Sequence, residues 1–247
     1  MSDNSGKVAV ITGGARGFGR AFGEALAARG ARVVLADLDS DEAALAAAAI
    51  GPLAEALALN VAEEAAVTAA MQDIAARHGG IDILINNAGI HSAEGAQPIG
   101  VMGLARSRQM FEVNVWGVIQ CTLAAAPYMA GRAGAAIVNI SSMASYPCTT
   151  TYGVTKLAVR GITTAFAHEL GPQGIRVNAI APGLIMTDTI RAELPEPVIA
   201  AVSSQQIVKR EGATSDIVEA MLYLVSPASG FMTGECLRVS GGVTLQV

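Results

Sequence analysis

Short apolar runs alternate with longer alanine-rich segments along most of the chain. The short runs consist mainly of Val, Ile, Leu and Ala, as buried strands do, whereas the longer segments repeat their apolar residues at helical spacing. Seven runs predict strands, at residues 7–11, 32–36, 53–59, 81–85, 136–140, 175–180 and 235–239. Strands that alternate with helices pair in parallel and are covered on both faces. The pattern therefore predicts an α/β fold with a doubly wound parallel sheet.

A single domain, residues 1–247, accounts for the chain, because no internal repeat or Pro/Ser-rich linker divides it. Two segments, residues 90–104 and 183–212, interrupt the alternation and are richer in Gly, Pro and polar residues. In an open α/β sheet, the loops beyond the carboxyl ends of the strands line the ligand crevice. We therefore predict that these two segments are substrate loops.

The composition restricts the class of protein. Hydrophobic residues make up 52% of the chain and charged residues 15%, which favours a folded globule over a disordered chain. Charges interrupt the alanine-rich stretches and the first residues lack a secretory pattern, so we expect a cytoplasmic protein without a membrane span. A net charge of −5 without a run of Lys or Arg argues against nucleic acid as a partner. A small molecule is the expected partner.

The chain has three cysteines, Cys121, Cys148 and Cys236. They are widely scattered, with neither CxxC spacing nor a flanking histidine cluster. We therefore expect reduced thiols and no metal site.

Tyr152 and Lys156 lie four residues apart in an apolar segment and would share one face of a helix. A free tyrosine has a pKa of about 10, so it transfers protons poorly at neutral pH unless a nearby cation favours the phenolate. Lys156 could be that cation, in which case it would lower the pKa of Tyr152.

A strand, a glycine turn and a helix follow one another at the start of the chain. Gly13, Gly17 and Gly19 permit tight backbone conformations and a close approach of pyrophosphate to the free N–H groups of the helix. Asp37 closes the second strand, where a carboxylate accepts hydrogen bonds from the adenosine ribose and repels a 2′-phosphate. This predicts NAD rather than NADP. Arg16 is a competing signal, because a cation in the glycine turn could neutralise that phosphate.

Several of these residues belong to a longer ordered set: residues 12–19, Asn86-Asn87-Ala88-Gly89, Asn114, Ser142, Tyr152-x-x-x-Lys156 and Pro182-Gly183. With these motifs the chain resembles the classical short-chain dehydrogenase/reductases over nearly its whole length. The resemblance implies a Rossmann-type fold and hydride transfer between a nicotinamide cofactor and a secondary alcohol or ketone. It also implies a homotetramer, which agrees with helices near residues 104–130 and 152–170 that are apolar on more than one face. Trp116 is expected in the core.

The resemblance assigns catalytic roles. Tyr152 would be the acid/base, and Lys156 would favour its phenolate and also bind the nicotinamide ribose. Ser142, at the end of the fifth strand, would hold the substrate oxygen. Asn114 would hold a water near the lysine, and an asparagine inside a helix suggests a specific role because it is locally unfavourable.

The serine assignment leaves alternatives. Ten residues separate Ser142 from Tyr152, about three fewer than in many relatives, so the intervening loop is short. Ser141 and Ser145 therefore remain candidates for the catalytic hydroxyl.

The resemblance also predicts the cofactor contacts. Asn60 stands where relatives commonly have an aspartate beside the adenine, and Ile185 and Thr187 would hold the nicotinamide carboxamide. The full predicted set is Gly13, Arg16, Gly17, Phe18, Gly19, Asp37, Leu38, Asn60, Val61, Asn87, Ala88, Gly89, Tyr152, Lys156, Pro182, Gly183, Ile185 and Thr187.

The residues that flank the catalytic candidates are mostly apolar, and no arginine or lysine lies in their two segments. A charged substrate group would lack a partner there, so we expect a small, neutral, hydrophobic alcohol or ketone. Arg106 and Arg108 are the exceptions that could bring a cation to the site. The predicted substrate contacts are His91, Met143, Tyr146, Cys148, Leu184 and Met186.

Two other functions stay open. One is an NADPH-dependent reductase of 3-oxoacyl or hydroxysteroid type, for which Arg16 is the supporting residue. The other is a catalytically silent scaffold that senses a dinucleotide, although the presence of all four catalytic candidates argues against it.

Overall fold

The computed structural model describes residues 4–91, 97–187, 190–191 and 194–243. Its strands are β1 (Val8–Thr12), β2 (Arg32–Asp37), β3 (Ala54–Ala58), β4 (Ile83–Asn86), β5 (Ala136–Ile140), β6 (Arg176–Pro182) and β7 (Cys236–Val239). They form one parallel sheet in the order β3-β2-β1-β4-β5-β6-β7. The seven predicted strands are all present, with ends that move by one or two residues. The predicted fold is confirmed.

Helices cover both faces of the sheet. They are α1 (Gly17–Ala27), α2 (Ser40–Ile50), α3 (Glu64–His78), α4 (Ile99–Met102), α5 (Leu104–Phe111), α6 (Gly117–Met129), α7 (Thr151–Leu170), α8 (Glu196–Gln205) and α9 (Thr214–Leu224). A π-helical turn, Glu112–Trp116, joins α5 to α6. Within the described ranges, no helix is long and apolar enough to span a bilayer.

Two apolar layers form the core, one on each face of the sheet. Neighbouring residues of a strand point to opposite faces, so Val10 packs with α3, α6 and α7 whereas Ile11 packs with α1 and α9. This is why the strands require continuous apolar runs. Trp116 is not part of either layer, contrary to the sequence prediction: it lies in the π-helical turn with half of its surface exposed.

The order of the strands positions the site. β1 lies between β2 and β4, so successive connections leave its carboxyl end in opposite directions and open a crevice there. The turn after β1 and the loop after β4 meet at this point. The Thr12 hydroxyl accepts the N–H groups of Asn87 and Ala88, each at 3.1 Å, and holds the two segments together.

Candidate active site

A cavity of about 1290 Å³ opens beyond the carboxyl ends of the strands. Every predicted cofactor residue except Gly19 contributes to its wall, as do Ser142, Tyr152 and Lys156 among the catalytic candidates. Asn114 is fully buried behind the wall. The structure therefore brings together residues from seven separate segments of the sequence.

The glycine turn has the shape that a pyrophosphate needs. Gly17 adopts a positive φ of 54°, and a Cβ there would meet open space. A Cβ on Gly19 would lie 2.0 Å from the carbonyl oxygen of Gly13, so Gly19 serves the packing of the turn rather than the cavity wall. Within the described part of the chain, no side chain caps the amino end of α1. Its N–H groups and helix dipole therefore fit an anionic group.

Asn87 stabilises the same turn from the neighbouring strand. Its side-chain N–H group donates to the carbonyl oxygens of Thr12 at 3.0 Å and Gly13 at 2.9 Å. Asn86, the first residue of the same motif, supports the sheet. It is buried in the sheet and donates to Thr122 and Asn139 at 3.1 and 2.8 Å.

Acidic side chains dominate the end of the cavity beside β2. The carboxylate of Asp37 accepts the Ala15 N–H at 3.0 Å and the Asp39 N–H at 3.1 Å, which orients it toward the glycine turn. Arg16 forms an ion pair with Asp39 rather than with Asp37. Asp39 was not among the predicted site residues, although its place two residues after Asp37 and before an alanine-rich helix is a detectable N-cap signal.

Asn60 lies on the wall but its carboxamide is engaged locally. The side-chain oxygen accepts the Ala62 N–H at 3.1 Å, and the side-chain N–H group donates to Glu63 at 2.9 Å. The side chain therefore shapes the turn after β3.

Ser142 and Tyr152 lie together on the cavity wall, close enough for Ser142 to lower the pKa of the phenol. Lys156 lies one helical turn beyond Tyr152, with its Nζ 5.7 Å from the centre of the phenol ring. The Lys156 ammonium is buried and donates to the carbonyl oxygen of Ile140 at 2.8 Å. Strand β5 and helix α7 thus hold the three side chains in one group.

The pKa values of this group differ from the sequence prediction. Burial raises the pKa of the Tyr152 phenol to about 12, and the Ser142 hydrogen bond offsets only part of that rise. Burial also lowers the pKa of Lys156 to about 8. The expected lowering of the phenol pKa by Lys156 is absent, since burial and Ser142 account for the change. Tyr152 is therefore a protonated acid at neutral pH.

Asn114 links two segments of the site. Its side-chain oxygen accepts the Ile90 N–H at 2.7 Å, and its side-chain N–H group donates to the Ile90 carbonyl and the Thr155 hydroxyl at 3.1 and 3.2 Å. It lies in the π-helical turn, a conformation frequently found at functional sites. One role of Asn114 is therefore to join the loop after β4 to helix α7.

The short loop before α7 is closed by local hydrogen bonds. Cys148 adopts a positive φ of 49° and its thiol donates to the Ser145 carbonyl at 2.9 Å. Of the alternative catalytic serines, Ser141 also lines the cavity, but its hydroxyl donates to the Lys156 carbonyl at 2.8 Å. Ser145 is buried and does not contribute to the described wall. This geometry favours Ser142 as the hydroxyl that faces the cavity.

The rest of the wall is mainly apolar. Of the predicted substrate contacts, His91, Met143 and Leu184 line the cavity, whereas Tyr146, Cys148 and Met186 do not contribute to its described wall. The Tyr146 ring instead stacks against Arg160, with the guanidinium carbon 4.0 Å from its centre. Four further wall residues were not predicted, although they recur at every fourth position, which is a detectable helical pattern: Ile190, Leu194, Val198 and Val202.

Polar side chains accompany this apolar wall, His91 and Arg106 among them. The His91 ring meets the Tyr152 ring edge to face, with 4.9 Å between their centres. Arg106 lines the cavity, whereas Arg108 is not part of the described wall. A cation is thus present at the substrate end.

The fold and this site define an oxidoreductase of the Rossmann type, and comparisons with known proteins agree. A family model described as enoyl-(acyl carrier protein) reductase matches residues 13–244. The chain is 36% identical over 243 residues to cis-4-hydroxycyclohexanecarboxylate dehydrogenase of Sinomonas cyclohexanicum, covering 96% of each chain. It is 34% identical over 250 residues to 7α-hydroxysteroid dehydrogenase of Escherichia coli, covering 98% of this chain and 96% of the relative.

A solved structure from Haemophilus influenza, proposed to be a D-mannonate oxidoreductase, has bound NAD and superposes with a TM-score of 0.90. It is 26% identical, and the match covers 98% of this chain and 96% of that one. The chain belongs to the classical short-chain dehydrogenase/reductase family. Members of this family depend on a nicotinamide nucleotide.

Proposed function

We propose that the protein is an NAD-dependent oxidoreductase that interconverts a secondary alcohol and a ketone. The observation that carries the proposal is that Ser142 and Tyr152 lie together on the cavity wall, with Lys156 buried on the next turn of α7. Bound NAD would supply the hydride donor or acceptor and, in its oxidised form, a positive charge near the phenol. The cofactor would be held by the glycine turn, Asp37, Lys156 and the loop after β6.

Each catalytic side chain has a proposed task. In ketone reduction, the Tyr152 hydroxyl donates its proton to the carbonyl oxygen, a contribution of about 10²–10⁴-fold for a positioned acid. Its high pKa suits this direction because the phenol is protonated at neutral pH. Ser142 hydrogen-bonds the same oxygen and fixes its position. Asn114 keeps Ile90 and the start of α7 at a constant separation.

The cofactor preference is tested by Asp37→Ser. We expect NADP to gain at least about tenfold in kcat/KM relative to NAD, because a like charge within about 5 Å of the 2′-phosphate is removed. Steady-state kinetics with both cofactors provide the measurement. If the wild-type protein already favours NADP, the proposal is wrong and the protein is the NADPH-dependent reductase that Arg16 would support.

The proposed substrate is a neutral, hydrophobic, cyclic secondary alcohol or its ketone. Met143, Leu184 and the residues at every fourth position from Ile190 to Val202 supply an apolar wall for a ring. Two relatives reported above are named for a hydroxycyclohexanecarboxylate and a hydroxysteroid. Both of these are cyclic alcohols, and the first also carries a carboxylate. Residues 90–104 and 183–212 would be the substrate loops; residues 92–96, 188–189 and 192–193 lie outside the described part.

A matched pair of alcohols tests the charge of the substrate. We expect cis-4-methylcyclohexanol to give a higher kcat/KM than cis-4-hydroxycyclohexanecarboxylate, since the apolar wall offers a carboxylate few partners. The NADH formed is measured by absorbance. A preference for the carboxylate that disappears in Arg106→Met would show that this arginine binds an anion. Retained NAD binding without turnover over a panel of alcohols and ketones would instead support the dinucleotide-sensing scaffold.

The proposed assembly is a homotetramer. Trp116 and Leu123 lie two helical turns apart and are 50% and 51% exposed, and Leu157 on α7 is 43% exposed. These side chains give the surface of α6 and α7 the apolar character of a contact region. The measurement that tests this proposal is sedimentation of wild type against Trp116→Lys.

A further inference from the structure

Arg16 and Asp39 join the amino ends of two helices beside the cavity. Arg16 directly precedes α1, and its Nη2 donates to Oδ2 of Asp39. Asp39 is the N-cap of α2, where its Oδ1 accepts the Glu42 N–H at 3.2 Å. Both side chains line the cavity and remain solvent-accessible, with 63% of Arg16 and 49% of Asp39 exposed. The pair lies at the same end of the cavity as Asp37.

We propose that Asp39 is a second determinant of cofactor specificity, which disfavours NADP by holding Arg16 in an ion pair. This inference rests on the proposed NAD dependence. It differs from the role of Asp37, whose carboxylate would repel the 2′-phosphate directly. Asp39 acts through Arg16, the one group on this part of the described wall that could neutralise that phosphate.

The chemistry of the guanidinium makes this competition specific. Arginine binds phosphate through two parallel N–H donors, and it binds carboxylate in the same way. Arg16 must therefore loosen its contact with Asp39 before it can bind a 2′-phosphate with full effect. An exposed ion pair is weak, so we expect the competition itself to change affinity by about threefold rather than by several orders of magnitude.

The charge balance points in the same direction. Asp37 and Asp39 carry one negative charge each and Arg16 carries one positive charge, which leaves this end of the cavity negative. Asp39→Asn would bring the summed charge of these three side chains to zero and release the Arg16 guanidinium. Asparagine is as good an N-cap as aspartate, so the start of α2 is expected to survive the change.

The test is a double-mutant cycle with Asp39→Asn, Arg16→Ala and the double variant. The probes are adenosine 2′,5′-bisphosphate and 5′-AMP, whose dissociation constants are measured by titration calorimetry without any turnover. We expect Asp39→Asn to tighten bisphosphate binding about tenfold and to change 5′-AMP binding by less than about twofold. When Arg16 is already alanine, Asp39→Asn should tighten bisphosphate binding by no more than about threefold, because only the reduced charge repulsion contributes.

A matched control is the ion pair of Arg20 and Glu24 on α1, with Nε and Oε1 2.9 Å apart, which lies off the described cavity wall. Glu24→Gln removes the same charge from another arginine partner and should leave both dissociation constants unchanged. If circular dichroism shows that Asp39→Asn disturbs α2, Asp39→Ser is used instead, because serine is also a good N-cap residue.

Two results would overturn the inference. If Asp39→Asn tightens bisphosphate binding equally with and without Arg16, Asp39 acts by its charge and not through Arg16. If it tightens binding in neither case, Asp39 has no effect on the 2′-phosphate. The preference of the wild-type protein for NAD or NADP decides the proposed function separately. The cycle measures only the coupling between Arg16 and Asp39, so the two failures can be distinguished.

Discussion

Replacement of Tyr152 with phenylalanine is expected to lower kcat by about a thousandfold while the dissociation constant for NAD changes by less than about threefold. The substitution removes the hydroxyl beside Ser142 on the cavity wall, and it keeps the ring that contacts His91 and Lys156. Stopped-flow or steady-state rates give the first quantity, and quenching of protein fluorescence by NADH or calorimetry with NAD gives the second.

Tyr128→Phe is the control for this result, because Tyr128 packs against the core and lies off the described cavity wall. It should retain the wild-type rate. A Tyr152→Phe protein that loses NAD affinity as strongly as it loses rate would mean that the hydroxyl serves binding, and the assignment of an acid/base would fail.

Replacement of Lys156 with methionine is expected to abolish most turnover, weaken NAD binding and yet stabilise the fold. The rate and the affinity fall because the ammonium near the phenol and the donor proposed for the ribose disappear together. The fold becomes more stable because a buried cation is replaced by an apolar side chain of similar length. Stability and activity thus change in opposite directions, as is common where a functional group is held at an energetic cost.

The stability gain has a defined pH dependence. Burial lowers the pKa of Lys156 from 10.5 to about 8, a difference that corresponds to about 3 kcal/mol against the folded charged form. This cost is fully present below the folded pKa of about 8, declines as pH rises, and is absent above the unfolded value of 10.5. Loss of the hydrogen bond to Ile140 offsets about 1 kcal/mol. The net gain is therefore about 2 kcal/mol at pH 7 and vanishes before pH 10.5.

Urea denaturation at pH 7 and pH 10 measures this difference in the free energy of unfolding. Lys7→Met is the matched control, because it removes the same charge at a partly exposed position just before β1. It should not change stability by more than about 0.5 kcal/mol at either pH. A Lys156→Met protein that is less stable than wild type at pH 7 would show that packing and the Ile140 contact outweigh the buried charge.

The fold could be predicted because its signals are local. Continuous apolar runs such as residues 136–140 require burial on both faces, and a glycine turn between a strand and a helix has few other interpretations. Most of the predicted cofactor residues followed from the family resemblance, and they meet in the fold because parallel strands carry their carboxyl ends to one edge. Gly19 shows the limit: its spacing marked it for the cofactor, while the backbone of Gly13 is what excludes a side chain there.

The prediction failed where a side chain had more than one possible partner. Tyr146 and Cys148 are close to Tyr152 in sequence, yet Tyr146 stacks on Arg160 and the Cys148 thiol bonds to a carbonyl within its own loop. Trp116 was expected in the core because of its size, but the π-helical turn leaves it half exposed. Sequence proximity does not determine on which side of a short loop a side chain lies.

The sequence by itself determined the parallel sheet and the glycine turn, because each depends on local pattern and spacing. The resemblance of its motifs to a family predicted that Asn114, Ser142, Tyr152 and Lys156 belong to one site. Only the tertiary structure decided the electrostatics. Burial raises the pKa of Tyr152 and lowers that of Lys156, and folding pairs Arg16 with Asp39 rather than with Asp37. Desolvation and ion pairing depend on which groups meet across the fold and how much water remains between them, and the spacing of residues along a chain carries neither quantity.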